Sequence, residues 1–282
     1  MEAPNTRLLA VGGLFTVLLC LVMRMYVVRK AEVLSQQPPA EVLQPTSRAA
    51  EPQWAAFHDT LAGEVSAAKA AGGVLDIVFY GDSISESFRG SVAGTVVEGY
   101  SGNMAAWREM MGTRRAMVLG IAGDQTMHLL WRLRNGEGPK GLNSKIVTAM
   151  IGTNDMIYLT FLYPDDDQRV IAAIVSKVQR CVRELQQQSP QASIVLFGLL
   201  PLQRTRTDWP HAEYNGKVAA TNQQLQAFVQ QQGSEELKFK DCGGDFLLAN
   251  ATVDLRLMPD GIHPAGDGAR VLLSCMLQAL GD

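Results

Sequence analysis

A serine and a histidine with a neighbouring carboxylate are the residues of this chain best suited to chemistry. Ser83 ends the tripeptide Gly81-Asp-Ser83, directly after the apolar run 74–80, so it falls where a buried strand would end. Asp260-Gly-Ile-His263 follows ~180 residues later. A serine hydroxyl becomes a good nucleophile when a base takes its proton, and a carboxylate three residues before a histidine can reach its Nδ1. The pattern predicts Ser83 as nucleophile, His263 as base and Asp260 as orienting group.

Two further motifs could donate hydrogen bonds to a developing oxyanion. Gly123, in Gly120-Ile-Ala-Gly123, has a backbone N–H that no side chain shields, and Asn154, in Gly152-Thr-Asn154, has a side-chain amide. Both motifs follow apolar runs, as Ser83 does. Ligands of parallel sheets bind at the carboxyl ends of the strands, so we expect the three loops on one rim. Taken alone, each motif also fits a plain turn or a helix cap.

The elements that position these residues alternate along the chain from Trp54 onward. Short apolar runs, rich in Val, Ile, Leu and Met, are strand candidates at 74–80, 116–121, 145–151, 192–199 and 237–242. The clearest helical patterns are 166–188, 215–232 and 265–280. Alternating strands and helices predict one α/β domain built on a parallel sheet.

The motifs together resemble, in their order and strand placement, the SGNH (GDSL-type) hydrolases, which are named for Ser, Gly, Asn and His. Those residues correspond here to Ser83, Gly123, Asn154 and His263. The resemblance covers about residues 70–280. Within the family, the chain looks most like the catalytic (alpha) subunits of the intracellular platelet-activating-factor acetylhydrolases. The stretches that carry this second likeness are 124–136, 152–154 and 197–201.

The resemblance implies a three-layer α/β/α sandwich with a central, mostly parallel five-stranded sheet of flavodoxin-like type. It also implies an ester hydrolase that needs no metal or other cofactor and works through an acyl-enzyme. Ser83 would attack the acyl carbonyl, and His263, oriented by Asp260, would act as base and then as acid. The oxyanion hole would consist of the N–H groups of Ser83 and Gly123 and the side chain of Asn154. A homodimer is a further family-level expectation.

The chain departs from the family pattern in places that bear on the substrate. Ile84 stands where the family's GDSL name has leucine. Residues 90–106 look like an expanded loop, and residues 160–164 differ from what the family leads us to expect. We expect the two stretches to shape the acyl and leaving-group pockets without changing the reaction.

The N-terminal segment predicts membrane attachment. Residues 8–23 are apolar except for Thr16, and residues 25–28 continue the run after Arg24. A helix of ~1.5 Å rise per residue reaches about 24 Å over the first run and about 31 Å to Val28, against a hydrocarbon core of ~30 Å. We therefore predict an uncleaved signal anchor in residues 1–30, spanning at 8–28, in preference to a cleaved signal peptide. Basic residues on both sides leave its orientation open.

Residues 31–52, rich in Gln, Pro, Ser and Glu, predict a flexible linker ahead of a hydrolase domain over 53–282. The anchor favours a single-pass protein of the secretory pathway (ER or Golgi), with a domain facing the cytosol as the alternative.

The four cysteines, at 20, 181, 242 and 275, have no metal-ligand spacing. We expect buried thiols, while one pair among the last three stays open if the domain is lumenal. Asn250-Ala-Thr252 is a glycosylation sequon.

Composition narrows the functional classes. The chain carries 25 basic and 28 acidic residues, a net charge of −3, and no basic block, which excludes nucleic acid as an expected partner. We expect the run at 165–167 to stabilise a helix N-terminus, with no metal site. The predicted function is removal of a short acyl group, most simply acetyl, from a phospholipid or an O-acetylated glycan. The alternatives are an acyltransferase using the same residues and a non-catalytic binding protein on a hydrolase fold.

Overall fold

A five-stranded parallel sheet lies at the centre of the molecule. The structure is a computed structural model that describes residues 44–203 and 214–281. The strand order is β4-β1-β5-β6-β7, and every pairing in this sheet is parallel. Its strands are β1 (Val74–Gly81), β4 (Ala116–Gly120), β5 (Asn143–Met150), β6 (Ser193–Phe197) and β7 (Leu237–Lys240), while β2 (Ser91–Val92) and β3 (Thr95–Val96) form a separate hairpin. The five strands predicted from the sequence are confirmed.

Helices cover both faces of the sheet. In chain order they are α1 (Pro52–Ala71), α2 (Ser83–Glu86), α3 (Ser101–Met111), α4 (Thr126–Arg134), α5 (Thr153–Leu162), α6 (Asp167–Gln188), α7 (Tyr214–Gln232) and α8 (Asp267–Leu280). The three helices predicted from periodicity correspond to α6, α7 and α8. At the start of α6, Asp166 accepts a hydrogen bond of 3.0 Å from the backbone N–H of Arg169, so one residue of the acidic run caps a helix.

Two hydrophobic clusters, one on each face of the sheet, join the sheet to the two layers of helices. Val78 and Tyr80 of β1 belong to the cluster that α1, α4, α5, α6 and α7 close. Ile77 and Phe79 belong to the cluster that α3 and α8 close. Successive side chains of a strand point to opposite faces, so a strand buried on both sides must be apolar throughout. This explains the nearly continuous apolar sequence of β1, and the α/β/α sandwich is confirmed.

The stretch 90–106 is more ordered than the predicted loop. It contains the β2–β3 hairpin, a 3₁₀ turn at Glu98–Tyr100 and the beginning of α3. The fully buried carboxylate of Glu86 holds the hairpin, because it accepts hydrogen bonds from the Ser91 hydroxyl at 2.7 Å and the Gly94 N–H at 2.9 Å. Two-residue strands are too short to show alternation in a sequence, so the hairpin left no periodic signal.

A disulfide joins Cys242 and Cys275, with an S–S distance of 2.11 Å. The expectation of buried thiols is therefore wrong for these two residues and holds for Cys181, which is free and buried. The bridge ties the segment after β7 to α8. The partners are 33 residues apart and share no motif, so nothing in the sequence could choose this pair.

The predicted anchor at 1–30 lies outside the described residues. Among helices in the described ranges, none combines the length and the apolar character that crossing a membrane requires. The described end of the predicted linker, residues 44–51, lies against the domain: the Thr46 N–H donates to the carbonyl of Met127 at 3.2 Å. Arg48 in the same segment donates to the carbonyl of Ala122 at 2.8 Å.

Candidate active site

Ser83, His263 and Asp260 form one hydrogen-bonded chain. Ser83 begins α2 immediately after β1, and its Oγ lies 2.8 Å from Nε2 of His263. On the other side of the ring, Nδ1 lies 2.6 Å from Oδ2 of Asp260. The second carboxylate oxygen accepts from the N–H groups of Ile262 at 2.9 Å and His263 at 2.8 Å. A carboxylate on Nδ1 favours the tautomer whose Nε2 can accept the serine proton.

The surroundings of Asp260 keep its carboxyl group ionised. Burial raises its pKa, but the hydrogen bond and charge of His263 and the two backbone N–H donors outweigh burial and lower the pKa to about 2. A carboxyl whose pKa is lower in the folded state stabilises the fold above its unfolded pKa of ~3.9. That contribution is lost as the pH falls towards 2. The carboxylate beside Nδ1 of His263 is therefore ionised throughout the neutral range.

The turn that carries His263 is held by α3. The fully buried side chain of Asn103 donates to the carbonyl of Pro264 at 2.8 Å and accepts from the N–H of Gly266 at 3.0 Å. The ring of Tyr100 lies edge-on to the imidazole, with centroids 6.1 Å apart. The sequence pattern predicts the last helix from residue 265, but α8 begins only at Asp267. The difference arises because Gly266, with φ +57°, interrupts the helical path.

The Ser83 turn packs directly onto the end of β4. A Cβ at Gly120 would lie 2.6 Å from the carbonyl oxygen of Asp82 and 2.6 Å from the N–H nitrogen of Glu86, so only glycine permits this approach. Asp82 caps α2 by accepting from the N–H of Ile84 at 3.0 Å. Burial raises the pKa of Asp82 to about 7.

The loops of Gly123 and Asn154 lie on the same rim as Ser83. Gly81 pairs with Gly120 on one side and with Met150 on the other, so β4, β1 and β5 end at one level. The side-chain amide of Asn154 donates to the carbonyl of Asp124 at 3.0 Å, which places it beside Gly123. Gly123 has φ +78°, in the left-handed region that glycine adopts without strain. The geometry brings the two sequence-predicted donors together, and their catalytic role stays a prediction.

A buried charge network supports this rim from below. The Asp124 carboxylate accepts hydrogen bonds from Trp54 Nε1 at 2.7 Å and from Arg132 Nη1 at 2.8 Å. Arg132 also donates from Nε to Glu137 at 2.9 Å, and Glu137 contacts His58 Nδ1 at 2.6 Å. Burial raises the pKa of Glu137, but Arg132 and His58 outweigh it and lower that pKa overall. Glu137 is 79 residues from His58 in the chain, so no local motif could reveal this contact.

We expect Arg132→Met to lower the free energy of unfolding by about 3–5 kcal/mol, because it leaves two buried carboxylates without their main cation. In a domain of this size that corresponds to roughly 10 °C in Tm. Denaturation in guanidinium chloride measures the free energy of unfolding of the wild type and of each variant. Arg134→Met on the same helix is the control, since Arg134 is 47% exposed in its ion pair with Glu184 and should cost less than about 1 kcal/mol. Equal destabilisation by the two changes would contradict the prediction.

Among the residues that the structure describes, no group of three or more His, Cys, Asp or Glu side chains is arranged to hold a metal ion. The rim presents the hydroxyl of Ser83, the imidazole of His263 and the carboxylate of Asp260.

Comparison with known proteins assigns this architecture to a family. The model of the GDSL-like Lipase/Acylhydrolase family matches residues 79–271, a range that includes Ser83 and His263. Platelet-activating factor acetylhydrolase IB subunit alpha2 of Homo sapiens is 28% identical over 193 residues, which cover 68% of this chain and 70% of that protein. Subunit alpha1 of Rattus norvegicus is 31% identical over 209 residues, covering 73% and 76%.

Solved structures share the fold. A GDSL-like lipase from Bacteroides thetaiotaomicron superposes with a TM-score of 0.55 at 17% identity, over 80% of this chain and 98% of that chain. A variant of Axe2, an acetyl-xylooligosaccharide esterase from Geobacillus Stearmophilus, gives 0.53 at 18% identity, over 74% and 94%. The class defined by the fold and the matched sequences is that of α/β ester hydrolases. Within it, this chain belongs to the GDSL-like lipase/acylhydrolase family.

Proposed function

We propose that this esterase removes acetyl or similarly short acyl groups through a covalent acyl-enzyme on Ser83. The observation that carries the proposal is the chain of hydrogen bonds from Ser83 through His263 to Asp260. Nε2 of His263 takes the hydroxyl proton as Oγ attacks the ester carbonyl. The tetrahedral intermediate then collapses, and the same imidazole protonates the departing alcohol. Water, deprotonated by His263, then attacks the acyl carbon. The bond from this carbon to Oγ breaks, the imidazolium returns the proton to Oγ, and the carboxylic acid is released.

The negative charge of the tetrahedral intermediate needs donors that are already in place. We assign this role to the backbone N–H groups of Ser83 and Gly123 and to the side-chain amide of Asn154. Ser83 is the first residue of a short helix, and Gly123 and Asn154 follow the two strands that flank β1. Donors fixed by the fold need no rearrangement as charge develops, and one of them typically contributes 10²–10³-fold to kcat, about 3–4 kcal/mol.

The acetyl preference is supported by what the relatives share. One group of relatives is named for platelet-activating factor acetylhydrolase activity, and one structural neighbour is an acetyl-xylooligosaccharide esterase. The named substrates have the acetyl group in common and differ in the alcohol. Loops determine which alcohol part of the ester an enzyme of this kind accepts. The stretches 90–106 and 160–164, which depart from the family pattern, are therefore the candidates for this role.

The disulfide between Cys242 and Cys275 supports a lumenal domain, because such bonds persist in oxidising compartments. We propose that residues 8–28 anchor the protein in a membrane of the secretory pathway. In that compartment an O-acetylated glycan is the substrate class that we favour over a cytosolic phospholipid.

A fluorophosphonate probe tests the nucleophile, and a series of 4-nitrophenyl esters tests the acyl group. We expect the probe to modify Ser83, identified by peptide mass spectrometry. The value of kcat/KM should fall at least about tenfold from acetate to octanoate, because a pocket for two carbons excludes a longer chain. Modification of another serine would overturn the mechanism. A preference for octanoate would end the acetyl assignment and leave the serine mechanism in place.

Asn250 offers a test of the compartment. It is exposed in the turn between Leu248 and Thr252, whose hydroxyl donates to the Asn250 side chain at 2.7 Å. In cells with a secretory pathway, we expect an N-linked glycan that a glycosidase removes, visible as a mass shift. Asn250→Gln and Thr252→Ala should lose the shift, and Thr252→Ser should keep it. An unmodified Asn250, together with protease access to the domain from the cytosol, would overturn the lumenal placement.

A further inference from the structure

We propose that Arg48 is a positioning residue for the reaction, which holds the peptide between Ala122 and Gly123 with its N–H turned towards the oxyanion. The inference rests on the proposed function, since it concerns how one of its donors is oriented. It adds a residue from outside the predicted hydrolase domain of 53–282 and outside the family match at 79–271.

The guanidinium of Arg48 forms hydrogen bonds directly to the loop that carries Gly123. Its Nη1 donates to the carbonyl oxygen of Ala122 at 2.8 Å and to Oδ1 of Asp124 at 3.0 Å. The opposite side of the fork donates to Glu51, with Nη2 at 2.6 Å from Oε2. Only 15% of the Arg48 side chain is exposed. A planar group with both ends occupied has little freedom to turn, so it can fix the atoms that it binds.

Peptide geometry converts this contact into a statement about Gly123. The C=O of Ala122 and the N–H of Gly123 belong to the same peptide unit, which is planar, and the described residues contain no cis bond. In a trans peptide these two groups point in opposite directions. With the carbonyl bound to Arg48, the N–H of Gly123 must therefore point away from the guanidinium.

The preceding peptide is fixed by a second charged group. The N–H of Ala122 donates to Oε2 of the buried Glu86 at 2.7 Å. Two successive peptides are thus held, one by a carboxylate and the next by a guanidinium.

Gly123 is the point at which this restraint matters. Glycine tolerates conformations on both sides of φ = 0, so the Ala122–Gly123 peptide can rotate more easily than an ordinary one. A rotation of about 180° would replace the N–H donor by a carbonyl oxygen, which repels an oxyanion. The guanidinium packs against this position, since a Cβ on Gly123 would lie 3.2 Å from Nη1 of Arg48. The glycine leaves the Ala122–Gly123 peptide free to rotate, and Arg48 therefore holds it in the orientation that the reaction needs.

The test is Arg48→Ala in the full chain, assayed with 4-nitrophenyl acetate. We expect kcat to fall about 10–100-fold with KM within about twofold, because the donor acts mainly in the transition state. Affinity for an acetyl trifluoromethyl ketone, which forms a charged tetrahedral adduct with serine, should fall by a similar factor. Arg48→Lys should recover part of kcat, because an ammonium group can still donate to the Ala122 carbonyl.

Arg134→Ala is the matched control, since it also removes a guanidinium, but one whose half-exposed ion pair is with Glu184; we expect less than about threefold loss of kcat. All variants are compared at a temperature where circular dichroism shows them folded. Wild-type kcat in Arg48→Ala, or a changed KM with unchanged kcat, would overturn the inference. A lower kcat with undiminished affinity for the ketone would also overturn it. Turnover retained by Ser83→Ala would instead overturn the proposed function.

Discussion

Ser83→Ala is expected to reduce the turnover of 4-nitrophenyl acetate by on the order of 10⁴–10⁶-fold, the range seen when a serine hydrolase loses its nucleophile. At ~1.4 kcal/mol per tenfold, the change removes about 5–8 kcal/mol of transition-state stabilisation. The alanine has no oxygen to form the acyl-enzyme, and His263 loses the hydroxyl that lies 2.8 Å from its Nε2. Steady-state kinetics with the purified variant, beside fluorophosphonate labelling, measure the loss.

The fold should tolerate this change. The substitution deletes one oxygen at the beginning of α2 and leaves the Asp82 cap in place, so the free energy of unfolding should change by less than about 1 kcal/mol. Ser234→Ala, at an exposed loop position, serves as the control and should keep full activity. A Ser83→Ala enzyme with more than about 1% of wild-type kcat would show that another group attacks the ester.

Local patterns in the sequence were enough to predict the sheet, and they also identified Ser83, His263 and Asp260, which the structure brings together. The strand β1 is buried on both faces and is therefore apolar along its length, which identifies both the strand and the turn that follows it. Asp260 and His263 are three residues apart, so their contact lies within a single turn. Gly81 pairs with Gly120 and with Met150, so the three parallel strands end together and their loops share one rim, as expected from the sequence.

The supporting residues could not be predicted, because their partners are distant in the chain. Asn103 reaches Pro264 across 161 residues, and Arg48 reaches Ala122 across 74. A single asparagine in an apparent loop, or an arginine in an apparent linker, has no local pattern that distinguishes it from a solvated side chain. Glu86 is similar: no local pattern marks it as buried, whereas the structure buries its carboxylate among three backbone N–H groups and a hydroxyl.

Different side chains support the two halves of the site. Asn103 fixes the turn that carries His263, and the carboxylates of Glu86 and Asp124 fix the loop that carries Gly123. Ser83 lies between them, on a helix packed against Gly120. A change in one half should therefore act mainly on proton transfer or mainly on oxyanion binding, so substitutions can compare the two contributions.

Asp260→Asn isolates the proton-transfer half. We expect kcat to fall by on the order of 10⁴-fold, because the amide lacks the charge that stabilises the imidazolium and can stabilise the wrong tautomer of His263. Since the pKa of Asp260 is about 2, its carboxylate stays ionised in the wild-type enzyme over the usual assay range of about pH 5–9, so the loss should appear at every pH in it.

Asp267→Asn is the matched control for this loss, because it removes the same charge four residues beyond His263, at the exposed start of α8. It should retain at least about half of wild-type kcat, since surface charges contribute little at a distance in water. Fluorophosphonate labelling should slow in Asp260→Asn and not in Asp267→Asn, because attack by Ser83 needs the oriented imidazole. If Asp260→Asn keeps kcat within about tenfold of wild type, the carboxylate 2.6 Å from Nδ1 does not orient the base, and the histidine must be held by its turn alone.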